Sequence, residues 1–184
     1  MRHAHLWLLS ACAACLAAVS SCGERERPRT GREVLRGMKL TSPKFACNAK
    51  IPPQFTRDGA DVNPALEITG VPDAAKSLVL IVDDPDAPAG TWVHWVVYDI
   101  PPTLKRIEQD SVPGTQGRNS SNKLNYGGPS PPSGTHRYFF KLYALDHTTG
   151  LKEGATKQQV EAAMDGHILA QAELVGLYQR QKQR

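Results

Sequence analysis

Ser77-Leu78-Val79-Leu80-Ile81-Val82-Asp83 is a nearly continuous apolar run, and it ends on Asp84-Pro85-Asp86-Ala87-Pro88. A short run with no polar alternation fits a strand buried on both faces, with the acidic, proline-bearing segment presented at its end. Two further runs read the same way. In Trp92-Val93-His94-Trp95-Val96-Val97-Tyr98 a period of two puts His94, Val96 and Tyr98 on one face and Val93, Trp95 and Val97 on the other. In the stretch from His136 to Leu145 the same rule places His136, Tyr138, Phe140 and Leu142 together. From Met38 to Asp146 the apolar stretches are short and punctuated by proline and glycine, which predicts a mainly β, antiparallel domain with many turns.

The segment from Leu104 to Ser133 is rich in Gly, Pro, Asn and Ser. Within it, Gly127-Gly128-Pro129-Ser130-Pro131-Pro132-Ser133-Gly134 cannot sit in a central strand, so a loop is expected beside the His136 strand. The chain is expected to close with a helix. Thr156 and Gln159 have capping-box spacing, and Val160, Met164, Ile168 and Val175 mark an apolar stripe continued by Ala163, Leu174 and Tyr178. Gly166 weakens that helix by about 1 kcal/mol relative to alanine.

The N-terminal residues read as a targeting segment: a basic start at Arg2, an apolar run from Leu6 to Val19, then Ser20-Ser21-Cys22. The run is too short for a typical spanning helix. Small residues before a cysteine fit the bacterial lipoprotein peptidase, so residues 1–21 are expected to be removed and Cys22 to carry the lipid. Gly23 to Gly37 is mostly charged, Gly or Pro and reads as a tether, leaving one domain over residues 38–184. Cys12 and Cys15 leave with the signal and Cys22 is acylated, so only Cys47 remains and no intrachain disulfide is expected. The expected location is the bacterial cell envelope, lipid-anchored, at the outer membrane or in the periplasm of a Gram-negative cell. Lys and Arg total 22 against 18 Asp and Glu, with no long basic run interleaved with aromatics, so nucleic acid is not an expected partner.

Singly, the polar residues have ordinary explanations. Asp-Pro repeats form turns, and a histidine or tyrosine on a strand is more often a core residue with one satisfied hydrogen bond. Together, a strand-end carboxylate pair (Asp84, Asp86), two strand histidines (His94, His136) and Tyr138 beside a Pro-Gly loop form a polar set that an apolar core has little reason to hold. A binding pocket is the expectation.

These residues carry a resemblance. Asp84-Pro85-Asp86-Ala87-Pro88 followed by His94-Trp95, then Gly128-Pro129, Pro131-Pro132 and Gly134-Thr135-His136-Arg137-Tyr138, resembles the phosphatidylethanolamine-binding protein family, most of all its bacterial Raf-kinase-inhibitor-like branch. It extends from about Leu40 to Tyr178, through Ile51-Pro52-Pro53-Gln54-Phe55, Asp58-Gly59 and Gly166-His167-Ile168. The resemblance implies an antiparallel β-sandwich with a C-terminal helix. It also implies an anion pocket lined by Asp84, Asp86, His94, His136 and Tyr138, with Pro88, Gly128, Pro131 and Pro132 shaping its wall. The pocket edge contributed by the C-terminal segment does not transfer.

The function expected is binding of a phosphate-like anion or phospholipid headgroup, without a cofactor or metal. The aspartates would orient the imidazoles and raise their pKa values, so that protonated histidines donate to phosphate. The alternative is an inhibitor or interaction module for a kinase, protease or envelope protein. A metal-dependent hydrolase ranks below both, because no His-Glu-x-x-His helix or His-x-His strand pair occurs. Nucleophilic hydrolysis lacks a Gly-x-Ser-x-Gly elbow.

Overall fold

Strand β4 (Ser77–Asp84) is buried at every position, and the chain is arranged around it. The structure, a computed structural model, describes residues 37–180. The expected leader, Cys22 and nearly all of the expected tether therefore lie outside the described residues. In the six-stranded sheet, β4 is flanked by β5 (Trp92–Ile100) and β8 (His136–Leu145). The order is completed by β2 (Ala49–Lys50), β7 (Thr115–Gln116) and β9 (Ile168–Tyr178), giving β2-β9-β8-β4-β5-β7. A three-stranded sheet, β1-β3-β6, is built from Lys39–Thr41, Leu66–Thr69 and Arg106–Ile107. All pairs are antiparallel except the short β2–β9 pair.

Alternation along β4 separates two cores. Leu78, Leu80 and Val82 join Phe140, Leu142, Trp95 and Leu66 in the core between the sheets. Val79 and Ile81 join Val96, Tyr98, Val160 and Met164 beneath the helix α1 (Lys157–Met164). Cover on both faces is why this strand has no polar alternation.

The expected β-sandwich and helix are present, but the helix is short. Its N-cap is the predicted one: Thr156 accepts from the Gln159 amide, and the Gln159 side chain accepts from the Thr156 amide. It stops at Met164, and Gly166 takes a left-handed conformation (φ 77°) that ends the helix instead of sitting inside it. Ile168, Leu174, Val175 and Tyr178 belong to β9, so the stripe assigned to one helix spans a helix and a strand.

Cys47, partly buried against the core, is disulfide-bonded. This corrects the expectation of no intrachain disulfide, which followed from removing Cys12 and Cys15 with the signal and giving Cys22 to lipid. The other cysteines fall outside the described residues.

Candidate functional site

Four strand termini meet at one end of the six-stranded sheet. The end of β4 supplies Asp84, the start of β5 His94, and the start of β8 His136 and Tyr138. Tyr178, at the end of β9, is the cross-strand partner of His136. Antiparallel pairing of β4 with β5 and β8 brings these chain-distant residues together. A local irregularity completes the set. β5 pairs Trp95 with Val82 and Val93 with Asp83, leaving His94 as an extra residue in a bulge. Beyond it the alternation changes phase: Val93 packs with the helix-side core and Trp95 with the inter-sheet core. His94 therefore turns away from Val96 and Tyr98, the face a simple period of two predicts, and lies edge-on to Tyr138 at a centroid distance of 5.2 Å.

Both carboxylates are satisfied within the protein. Asp84 accepts from His136 Nδ1 through Oδ2 (2.7 Å) and from the Asp86 amide through Oδ1 (2.8 Å). Asp86 accepts from the Arg137 amide (3.0 Å), Nε (2.9 Å) and Nη2 (2.6 Å). These Arg137 hydrogen bonds hold the Asp86 carboxyl down at about 2. Asp84 thus orients an imidazole as expected, whereas Asp86 fixes the arginine that follows His136.

His94 is oriented differently. Its Nδ1 lies 2.5 Å from the Gly127 carbonyl oxygen, which can only accept, so Nδ1 carries the proton. Burial pushes its pKa down, against the expected rise, because no carboxylate bonds the ring. The neutral ring leaves Nε2 as an acceptor, and that atom is buried with no hydrogen-bond partner. The Tyr138 hydroxyl is also buried and has no partner at good hydrogen-bonding geometry; burial raises its pKa, and the Asp84 carboxylate raises it further by its charge and by a poorly formed contact with the hydroxyl.

The proline-glycine loop forms one wall. Gly127 N donates to the His94 carbonyl (3.0 Å) and Gly128 N to Asp61 Oδ1 (2.6 Å). A Cβ at Gly128 would come within 2.7 Å of Phe55 O and Thr56 Cα, so the loop can pass only as glycine. Pro131 is buried, while Pro132 and Pro88 are exposed. Residues not singled out in the sequence add the rim. Arg57 lowers the His94 pKa by its charge, and Asp58 accepts from the Tyr178 hydroxyl (2.7 Å) and from Arg180 Nε (3.0 Å). Asp58 was visible in an Asp-Gly pair and Tyr178 in an apolar stripe. Neither signal spoke of a site.

A family model described as phosphatidylethanolamine-binding protein matches residues 41–179. A UPF0098 protein of Methanothermobacter thermautotrophicus is 48% identical over 151 residues, covering 78% of this chain and 99% of the relative. One from Pyrococcus horikoshii is 46% identical over 160 residues, covering 82% and 80%. Among solved structures, a phosphatidylethanolamine-binding protein homologue from Chlamydia trachomatis superposes with a TM-score of 0.77 at 41% identity, covering 80% of this chain and 100% of that one. E. coli YbcL, described as a member of the mammalian PEBP family, gives 0.73 at 28%, covering 78% and 99%. The match spans both sheets and the strand ends that carry Asp84, His94, His136 and Tyr138, and the chain belongs to the phosphatidylethanolamine-binding protein family.

Proposed function

We propose that this protein binds a small phosphate-type anion, free or as a phospholipid headgroup, between His94, His136 and Tyr138. The observation that carries the reading is the pair of buried, unpartnered polar atoms on adjoining rings, His94 Nε2 and the Tyr138 hydroxyl. Leaving such an atom unsatisfied costs about 1–3 kcal/mol, and a ligand that bonds both removes that cost. Their chemistry is complementary: the hydroxyl donates and the neutral imidazole accepts. A phosphate or phosphomonoester monoanion carries both P–O⁻ and P–OH and matches them. A phosphodiester headgroup has no P–OH and would meet the imidazole with an ammonium N–H instead, while His136, fixed through Nδ1 by Asp84, offers Nε2.

Carboxylates beside an anion are tolerable here because their oxygens already hold donors and each faces a cationic or ionisable partner, Arg137 or His136. The exposed Arg57, Arg137 and Arg180 favour approach of an anion. A hydrolytic metal centre is disfavoured in this pocket: Asp86 is occupied by Arg137 and His94 Nδ1 by Gly127. The same chemistry would accept a phosphorylated or acidic segment of a protein partner.

Calorimetric titration with inorganic phosphate and phosphoethanolamine, beside His94→Ala and His136→Ala, tests this. Binding lost in both variants is the expected result. Phosphate-type binding that survives both would sink the pocket assignment, and no binding of either compound would turn the reading toward a protein partner.

A further inference from the structure

We propose that Asp146, His147 and His167 form a binding site for a divalent transition metal of the zinc class, at the end of the six-stranded sheet away from the anion pocket. Strand β8 runs from His136 at the pocket to Leu145, a span of about 30 Å. Asp146 and His147 follow it directly, and His167 immediately precedes β9. The antiparallel β8–β9 pair therefore brings the three together.

One ligand atom from each lies within 4.8 Å of the others. His167 Nδ1 is 2.9 Å and His147 Nδ1 3.7 Å from Asp146 Oδ1, and the two rings face each other at 4.1 Å between centroids. Tetrahedral zinc with bonds of about 2.0–2.2 Å sets its ligand atoms roughly 3.3–3.5 Å apart, which small side-chain rotations supply. Two imidazoles and one carboxylate suit zinc, nickel or copper better than the oxygen-seeking cations.

A second observation points the same way: His147 Nδ1 is buried and has no hydrogen-bond partner. A metal would use that lone pair. The backbone beneath the cluster is fixed, with Ser77 Oγ donating to the His147 carbonyl (2.6 Å), the Asp146 amide to the His167 carbonyl (3.2 Å) and the His167 amide to Met164 (3.0 Å). The half-exposed His167 leaves the remaining coordination position to water. Bound metal would clamp the exit of β8 to the entry of β9 and close the segment that carries α1.

The test uses the full chain with the Cys47 disulfide intact, so that the Cys47 thiol does not compete for zinc. Zinc titrated by calorimetry should bind one equivalent in the micromolar range and raise the melting temperature, and cobalt(II) should give visible bands of a low-coordinate site. His147→Ala should weaken zinc binding at least tenfold and abolish the bands. His167→Gln, at an exposed position and expected to fold normally, should do the same, and phosphate binding should be unchanged in both. No saturable zinc binding would overturn the proposal, as would binding that persists in both variants or that is lost instead in His136→Gln.

Discussion

Under the proposed function, the Tyr138 hydroxyl and His94 Nε2 are the atoms that would separate a ligand pocket from a polar core. If Tyr138 served packing alone, its hydroxyl would tie to a neighbour, and Tyr138→Phe would cost stability. With no well-formed hydrogen bond to lose, only a poor contact to Asp84, Tyr138→Phe should leave stability unchanged or raise it by up to about 1 kcal/mol while weakening phosphate binding roughly tenfold. Urea unfolding and calorimetry on the same variant check both signs. His94 makes a second prediction through its depressed pKa. Sulfate has no proton to give, so it requires a protonated His94, whereas a phosphate monoanion can donate to the neutral ring. Sulfate affinity should thus climb as pH falls from the ordinary histidine value of 6.5 toward the lower folded value, by up to about tenfold per unit, with phosphate changing less. Sulfate binding that is flat over that interval would mean that His94 does not face the anion. In the free protein the sign is the reverse: burial of neutral His94 contributes stability that is lost as pH falls below 6.5.

At the level of elements, the strands that build the site were legible in the sequence because their patterns are local. Continuous burial marks β4, and a clean period of two marks β8, where His136, Tyr138, Phe140 and Leu142 share a face as read. The bulge at His94 was not legible, since a single extra residue shifts the phase without changing composition. Nor was β9. Ala170, Ala172, Leu174, Gly176 and Tyr178 alternate inward with period two, but Ala and Gly carry little hydropathic signal. Gly176 has no side chain because Ile51 and Phe45 press against it: a Cβ there would lie 2.5 Å from Ile51 Cγ1. Carboxylate partners depend on which loop returns to the strand end, so the separate fates of Asp84 and Asp86 required the structure. The elements can be perturbed independently. Thr156→Ala removes the α1 cap beneath the helix-side core and should cost about 1 kcal/mol without affecting phosphate binding. Gly128→Ala forces the wall loop off Phe55 and Thr56 and should cost about 1–3 kcal/mol and weaken binding as well. Equal effects of the two variants on affinity would show that the pocket depends on global stability and not on its wall.

At the scale of the whole chain, the relatives separate the binding unit from what precedes it. The matched part is 99% of the Methanothermobacter thermautotrophicus protein and all of the Chlamydia trachomatis chain, so the likeness to those relatives lies in the domain and not in the N-terminal segment. We propose that this segment holds the pocket near a membrane. In this reading attachment comes from an acylated Cys22; among the described residues no helix is long and apolar enough to cross a membrane. Headgroups would thus be met at high local concentration, and a pocket of modest intrinsic affinity would be filled. Chemistry makes the claim decidable. The sulfur of Cys22 can hold a thioether to lipid or a disulfide, not both, and Cys47 is disulfide-bonded in the structure. Mass spectrometry of the N-terminal peptide from protein isolated from bacterial envelopes should show diacylglyceryl and acyl mass on Cys22. Cys22→Ser should lose fatty-acid label and move the domain to the soluble fraction. A non-reducing digest that joins the Cys22 and Cys47 peptides, without lipid mass, would instead make the segment a covalent strap on the domain and leave the pocket to ligands met in solution.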